Sequence, residues 1–248
     1  MNALSGKVTM KKTKQLLAEV IEREEICENL LVLAVRPARP LSFEPGQYVK
    51  LFVDGVTRRY SIVSAPHEEI LEFCIERVPD GEMTTRLWDL RRGDVVGVRT
   101  KVKGKLQLDL RFPSHLMIAT VTGISPFVSM LRAYLHERRH GHTFFLLHGA
   151  RCQDEFPYQD ELTRLATLRP DLQTYVPSVS RPAEVKNVWW AGETGRVSGL
   201  VAKYVTQYGL NPRSTLLYAC GHPDMVKEVK KRYQRDGFHV GTERYWKT

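Results

Sequence analysis

Several protein classes are excluded by what this sequence lacks. It contains no run of about eighteen or more apolar residues, so no segment reads as a membrane-spanning helix. The opening stretch, MNALSGKVTMKKTK, is basic but carries no apolar core before a small-residue cleavage site, so it does not read as a secretion signal. The four cysteines, Cys27, Cys74, Cys152 and Cys220, lie far apart without a C-x-x-C pair. That spacing argues against a zinc site, an iron–sulfur cluster or a disulfide framework, and leaves them as mostly buried thiols. There is no internal repeat, no low-complexity stretch and no dense Lys/Arg tail interleaved with aromatic platforms for single-stranded nucleic acid. The expectation is a cytoplasmic protein with no metal, no membrane association and no specific nucleic-acid partner.

What is present is an ordinary globular composition, 42% hydrophobic and 26% charged over 248 residues, for which two compact domains are the default. A formal charge of +9 favours acidic partners: nucleic acid, anionic lipid, a phosphorylated cofactor or an acidic protein. Charge alone does not choose among them.

Pattern along the chain divides it near Phe112-Pro113. From about Ile26 to Leu110 short β-rich runs (NLLVLAVRP, PGQYVKLFV, RRYSIVSAP, ILEFCIERV, GDVVGVRT, KLQLDL) alternate with turn residues, the signature of an antiparallel barrel. One interruption, GEMTTRLWDLRRGD, reads as a helix from the spacing of Met83, Leu87 and Leu90, with Thr84 and Thr85 as candidate caps. After Pro113 apolar strands and amphipathic helices alternate, which implies a parallel sheet covered by helices, with ligands at the carboxyl ends of its strands. The expected fold class is thus β plus α/β: a barrel domain over residues 1–112 and a parallel-sheet nucleotide-binding domain over 113–248.

Candidate chemistry follows that division. Arg58-Arg59-Tyr60-Ser61 offers guanidinium forks for phosphate, a flat ring for a ring, and a hydroxyl for a ring nitrogen, which together suit a flavin. A half-exposed strand with no ligand would also account for it. In VPDGEMTTRL a turn feeds a helix whose first N–H groups are a natural seat for a pyrophosphate, although many helices begin this way. The small-residue turn Thr122-Gly123-Ile124-Ser125-Pro126 follows a strand and opens a helix. Arg151, Arg181 and Arg196 close successive elements, so they can cluster at one sheet edge on a ribose phosphate dianion. Cys220, at a strand's carboxyl end, is either inert packing or a thiol facing a reacting ring. The tail GTERYWKT carries a Tyr-Trp pair that either docks in the core or covers a planar ligand.

The order R-x-Y-S, VPDG with a following threonine, T-G-I-x-P, HGAR, V-S-R, C-G-x-P-x-M and a terminal E-x-Y-W resembles the bacterial ferredoxin/flavodoxin–NADP reductases over nearly the whole chain. The resemblance implies FAD held by Arg58, Arg59, Tyr60 and Ser61, with Tyr60 against the isoalloxazine and Ser61 near its reactive nitrogen. It places Cys74 where a relative has a flavin-contacting tyrosine, Glu82, Met83 and Thr84 at the pyrophosphate, and Thr122 beside the nicotinamide. Ala150 and Arg151 of HGAR, with Ser180, Arg181 and Arg196, match residues that select the 2′-phosphate, hence NADP(H) over NADH. His222, Pro223, Asp224 and Glu228 match further NADP contacts, and Tyr245 and Trp246 match the terminal aromatics on FAD. Ser61, Cys220 and Glu243 are the candidate catalytic residues, the first tuning flavin N5 and the others beside the nicotinamide. The activity implied is electron exchange between NADPH and an acidic ferredoxin or flavodoxin. A free-flavin or ferric reductase, or the reductase component of an oxygenase, shares the same motifs. Two departures stand out: Val121 occupies the place of the family's first glycine, and the segment between Arg181 and Arg196, with Trp189 and Trp190, is long.

Overall fold

The computed structural model describes residues 15–244, so Tyr245 and Trp246 lie outside the described residues. Six strands form the first sheet: β1 (Gln15–Cys27), β2 (Leu30–Pro37), β3 (Tyr48–Val53), β4 (Val56–Ser61), β5 (Leu71–Glu76) and β6 (Val95–Arg99). They pair antiparallel in the order β4-β3-β6-β1-β2-β5. The edge strands β4 and β5 curl toward each other, and the Val63 N–H donates to the Glu72 carbonyl at 2.9 Å, so the sheet is a nearly closed barrel. Inward-facing residues alternate along each strand, as the two-residue period requires; Leu16, Ala18 and Val20 of β1 and Val49, Leu51 and Val53 of β3 are buried in one core. Asp54-Gly55, both at positive φ, make the tight β3–β4 hairpin. Helix α1 (Glu82–Asp89) closes one barrel end with Met83, Leu87 and Leu90 in the same core.

Three features of this half differ from the sequence reading. β1, the longest strand, lies before the expected start at Ile26, because its second half, Glu22–Glu25, is charged and solvent-facing and masks the alternation. Lys105–Leu110 is not a strand: it has no sheet edge to join, and Leu106, Leu108 and Leu110 instead cover the core of the second sheet. Thr84 does not cap α1. Its hydroxyl donates back to the carbonyls of Val78 (3.2 Å) and Gly81 (3.0 Å), tying the preceding turn while the helix N-terminus is left without a side-chain cap.

The second sheet is parallel throughout: β7 (Ser114–Thr120), β8 (Thr143–Ala150), β9 (Gln173–Val179), β10 (Glu193–Thr194), β11 (Thr215–Gly221) and β12 (His239–Arg244), in the order β10-β9-β8-β7-β11-β12. β12, which carries Glu243, reads in the sequence only as tail. Helices α2 (Ser125–His136) and α3 (Gln159–Leu168) cover one face, packing on Met117, Phe144 and Tyr218. Helices α4 (Val197–Gln207) and α5 (Pro223–Arg235) cover the other, packing on Leu116, Ile118 and Leu217. The chain runs outward from β7 to β10 and then returns to β11 on the other side of β7, so the gap between the carboxyl ends of β7 and β11 is the topological switch point, where ligands of such sheets bind.

The two halves share a core, since Val63, Cys74 and Leu106 pack among residues of α2 and β7. Arg132 of α2 ties them electrostatically, reaching Glu72 of β5 at 3.3 Å and Glu161 of α3 at 2.6 Å. No helix among the described residues is long and apolar enough to cross a membrane.

Candidate functional site

A cleft of about 710 Å³ opens at the switch point, between the carboxyl ends of the parallel strands and the end of β5. Its floor is built by close backbone approach. A Cβ on Gly123 would lie 2.2 Å from the Cys220 carbonyl oxygen, so only glycine lets the turn after β7 pass β11. Gly221 sits at φ +124°, where a Cβ would lie 2.1 Å from the Thr120 hydroxyl. That hydroxyl accepts the His222 N–H at 2.7 Å, and the His222 ring accepts the Asp224 N–H at 3.3 Å to cap α5. Both crossing loops are therefore fixed by specific contacts before any ligand arrives.

Of the residues singled out in the sequence, Thr122 lines the floor, Ala150, Arg151, Ser180 and Arg181 line the rim after β8 and β9, and Arg196 lines it at the start of α4. His222, Asp224 and Glu228 line the α5 side. The three arginines do not stand alike. Glu155, 7% exposed, accepts from the Arg151 side chain at 2.7 Å and from the Arg151 and Cys152 N–H groups at 2.9 and 3.2 Å, so it anchors Arg151. Arg181 is held by exposed Glu184 at 2.9 Å. Arg196 makes no side-chain hydrogen bond or ion pair among the described residues, which leaves its guanidinium open to an anion.

The long segment between Arg181 and Arg196 folds back on the rim. The buried Asn187 amide donates to the carbonyls of Arg151 (3.1 Å) and Arg181 (2.7 Å), joining two rim strands. Trp190 stacks on Phe156 at 5.4 Å and donates to the Glu193 carbonyl at 2.8 Å, whereas Trp189 is 85% exposed.

Other candidates lie outside the cleft lining. Arg58 and Arg59 are exposed on β4, Tyr60 is half-buried against the barrel core, and Ser61 is buried at the strand end. Arg59 lies over the Tyr48 ring at 5.6 Å. Burial pushes the Tyr60 phenol well up, so it stays protonated. Met83 and Thr84 turn their side chains inward, so α1 can offer a ligand only backbone N–H groups and the exposed Glu82 side chain, which pairs with Arg86 at 3.2 Å. Cys74 faces the shared core near Tyr158 rather than the cleft, and burial, then Glu72, pushes its thiol up. Pro223 opens α5 beneath the lining. Cys220 is buried, in register with half-buried Glu243 on β12. Burial raises the Glu243 carboxyl's pKa, while a hydrogen bond from the Lys105 backbone and then the charge of Arg59 on the barrel lower it.

The barrel wall of the cleft is Glu76, Arg77, Val78 and Pro79; sequence reasoning had Val78 and Pro79 in the VPDG turn but missed Glu76 and Arg77, which immediately precede that turn and could have been found from it. Burial and the Glu155 carboxylate raise the Glu76 pKa, against Arg151 and His222. It also missed His148 and Tyr175, which lie beneath the floor: His148 is buried, its Nε2 2.8 Å from the Val121 carbonyl oxygen and its Nδ1 3.0 Å from the Tyr175 hydroxyl.

The donor set suits two phosphorylated cofactors. Arg181, Arg196 and Ser180 on one rim fit a ribose phosphate, and the cleft volume is that of an ordinary small-molecule site. On the barrel, exposed Arg58 and Arg59 and the uncapped start of α1 fit a pyrophosphate beside the Tyr60 ring.

A barrel with an uncapped helix start, joined to a parallel sheet with an arginine-rimmed switch point, is the architecture of a two-domain flavin and pyridine-nucleotide oxidoreductase. Residues 17–108 match the model of the oxidoreductase FAD-binding domain, and residues 117–231 that of the oxidoreductase NAD-binding domain. The chain is 33% identical to the ferredoxin–NADP reductase of Pseudomonas aeruginosa over 76% of this chain and 77% of that protein. It is 30% identical to the flavodoxin/ferredoxin–NADP reductase of Escherichia coli over 83% and 89%. A crystal structure of a ferredoxin NADP+ reductase from Neisseria gonorrhoeae with bound FAD and NADP superposes with a TM-score of 0.80 at 26% identity, covering 95% of this chain and all of that one. The chain belongs to the ferredoxin–NADP reductase family.

Proposed function

We propose that this FAD-dependent oxidoreductase exchanges electrons between NADPH and an acidic ferredoxin or flavodoxin. The observation that carries the reading is the convergence of Arg151, Arg181 and Arg196 on the rim of a switch-point cleft that faces the barrel. The half up to Phe112 takes the flavin and the half from Pro113 the nucleotide. When bound, FAD supplies the conversion between hydride chemistry and single-electron transfer. The protein's part is orientation and electrostatics. Arg58, Arg59 and the N–H groups of Met83 and Thr84 would hold the flavin's phosphates, with Tyr60 against its ring and Ser61 as the hydroxyl at its reactive edge. Arg181, Arg196 and Ser180 would hold the 2′-phosphate, and His222, Asp224 and Glu228 the rest of the nucleotide. Thr122 after β7, Cys220 near the end of β11 and Glu243 near the end of the edge strand β12 would flank the nicotinamide and exclude water there, since hydride transfer needs close, aligned rings. A cytoplasmic location, with its NADPH supply, completes the reading.

The test is an anaerobic absorbance spectrum of the purified protein, titrated first with NADPH and then with NADH. Flavin bands that bleach at far lower NADPH than NADH support the scheme. A colourless protein that does not reconstitute with FAD ends it and returns the basic charge to nucleic acid.

For the acidic carrier, the support is the charge of +9 and the exposed Arg58 and Arg59 beside the proposed flavin seat. Complementary charge speeds encounter and is screened by salt. Reduction of a ferredoxin or flavodoxin is therefore expected to slow steeply as ionic strength rises, while reduction of an uncharged quinone by the same protein is much less affected. Equal salt dependence for both acceptors removes the acidic-carrier assignment.

A further inference from the structure

This inference rests on the nucleotide-cleft reading and concerns what holds the cleft floor in place. Val121 opens the turn Val121–Ile124 with φ +43°, a left-handed conformation that a β-branched side chain strongly disfavours. Glycine takes that conformation freely, and the family pattern has glycine here. Beneath the turn, the buried His148 ring places Nε2 2.8 Å from the Val121 carbonyl oxygen and Nδ1 3.0 Å from the Tyr175 hydroxyl. A carbonyl can only accept, so Nε2 carries the proton, and Nδ1 then accepts from Tyr175. The ring is further fixed by an edge contact with Phe156 at 5.1 Å. Val121 packs its side chain on Ala150, Phe156 and Val179, so both its backbone and its side chain are held from the β8–β9 side.

We propose that His148, oriented by Tyr175, is a positioning residue that holds Val121 in its left-handed conformation and thereby shapes the turn for the nucleotide. It replaces by a hydrogen bond what a glycine would supply by freedom. Burial pushes the His148 pKa down to about 4, so the ring stays neutral, with one donor and one acceptor, at working pH.

The test is a double-mutant cycle on the flavin-loaded protein, read as the Kd of 2′,5′-ADP by calorimetry, with the flavin spectrum as a control on the barrel half. His148→Phe, which keeps the ring's bulk and removes the donor, is expected to weaken binding about tenfold in the Val121 chain. In a Val121→Gly background the same change is expected to cost about threefold or less, because glycine adopts the turn unaided. Tyr175→Phe leaves the imidazole but releases its tautomer, and should show the same background dependence at a smaller size. Should His148→Phe not fold, the Tyr175→Phe and Val121→Gly cycle decides on the same criterion. A cost that is equal in both backgrounds, or absent in both, overturns the proposal, since a histidine that merely packs has no reason to sense residue 121. A wild-type chain that binds FAD but not 2′,5′-ADP overturns the nucleotide reading itself.

Discussion

Replacing Arg181 and Arg196 together by alanine is expected to raise the KM for NADPH about a hundredfold or more while leaving that for NADH within about twofold. The 2′-phosphate is the only group that distinguishes the two nucleotides, and each guanidinium hydrogen bond to it is worth about 1.5–3 kcal/mol. The single variants should not be equal. Arg181 must loosen its 2.9 Å contact with Glu184 to meet a phosphate, and that exchange offsets part of the gain. Arg196 has no such exchange to make, so Arg196→Ala should carry the larger share. Arg151→Ala is a poor probe of specificity, because it strips the cation from nearly buried Glu155, whose carboxylate also caps the following turn. That change should lower thermal stability and weaken both nucleotides. An Arg181→Ala/Arg196→Ala protein that still prefers NADPH as the wild type does would remove the rim arginines from the phosphate and send the search to the α5 side of the cleft.

The rim arginines were legible because strand ends in a parallel sheet converge by topology, and the strand–helix alternation after Pro113 makes the topology readable. The strands that frame them read as short continuous apolar runs in contrast with the amphipathic helices between them, because both faces of the sheet are covered: on β7 Leu116 and Ile118 face α4 and α5 while Met117 and Ala119 face α2 and α3. Elements without that contrast were not legible. β1 buries Leu16, Ala18 and Val20 but then turns charged, and Lys105–Leu110 alternates without a sheet to join, because periodicity reports which side chains face apolar surroundings and not which backbone edge is available. Side-chain direction was harder still. Cys74, aligned in sequence with a flavin contact, faces Tyr158 in the shared core, and Thr84 bonds backward to Val78 and Gly81. The pairing of His148 with Tyr175 depends on a contact between neighbouring strands, which no local pattern encodes, whereas Glu76 and Arg77 directly precede the VPDG turn and were within its reach.

Below pH 6.5 the protein is expected to lose stability progressively, with a loss of roughly 4 kcal/mol between pH 7.5 and 5 from two histidines alone. His115 and His148 are both fully buried, and burial pushes the pKa of each down to about 4 from an ordinary value of 6.5. Folded, they stay neutral; unfolded, they take up protons as pH falls through 6.5. The unfolded state therefore binds more protons between pH 6.5 and about 4, and each unit of pH in that window costs about 1.4 kcal/mol per histidine. Glu72 and Glu76 act in the opposite sense, because burial raises their pKa and their protonation favours the folded state as pH falls, so they offset part of the loss. The contribution of His115 can be isolated. Its Nδ1 lies 3.1 Å from the Tyr218 hydroxyl, its Nε2 has no partner among the described residues, and its ring stacks on Phe144 at 4.9 Å, so phenylalanine fits the site and removes the proton acceptor. Urea unfolding of His115→Phe at pH 7.5 and 5 should show a pH-dependent loss smaller than wild type by about 2 kcal/mol, close to half the histidine total. An unchanged loss would mean that the ring at 115 already titrates in the folded state, and the acid lability would then have to come from His148 or from the carboxylates paired with Arg132.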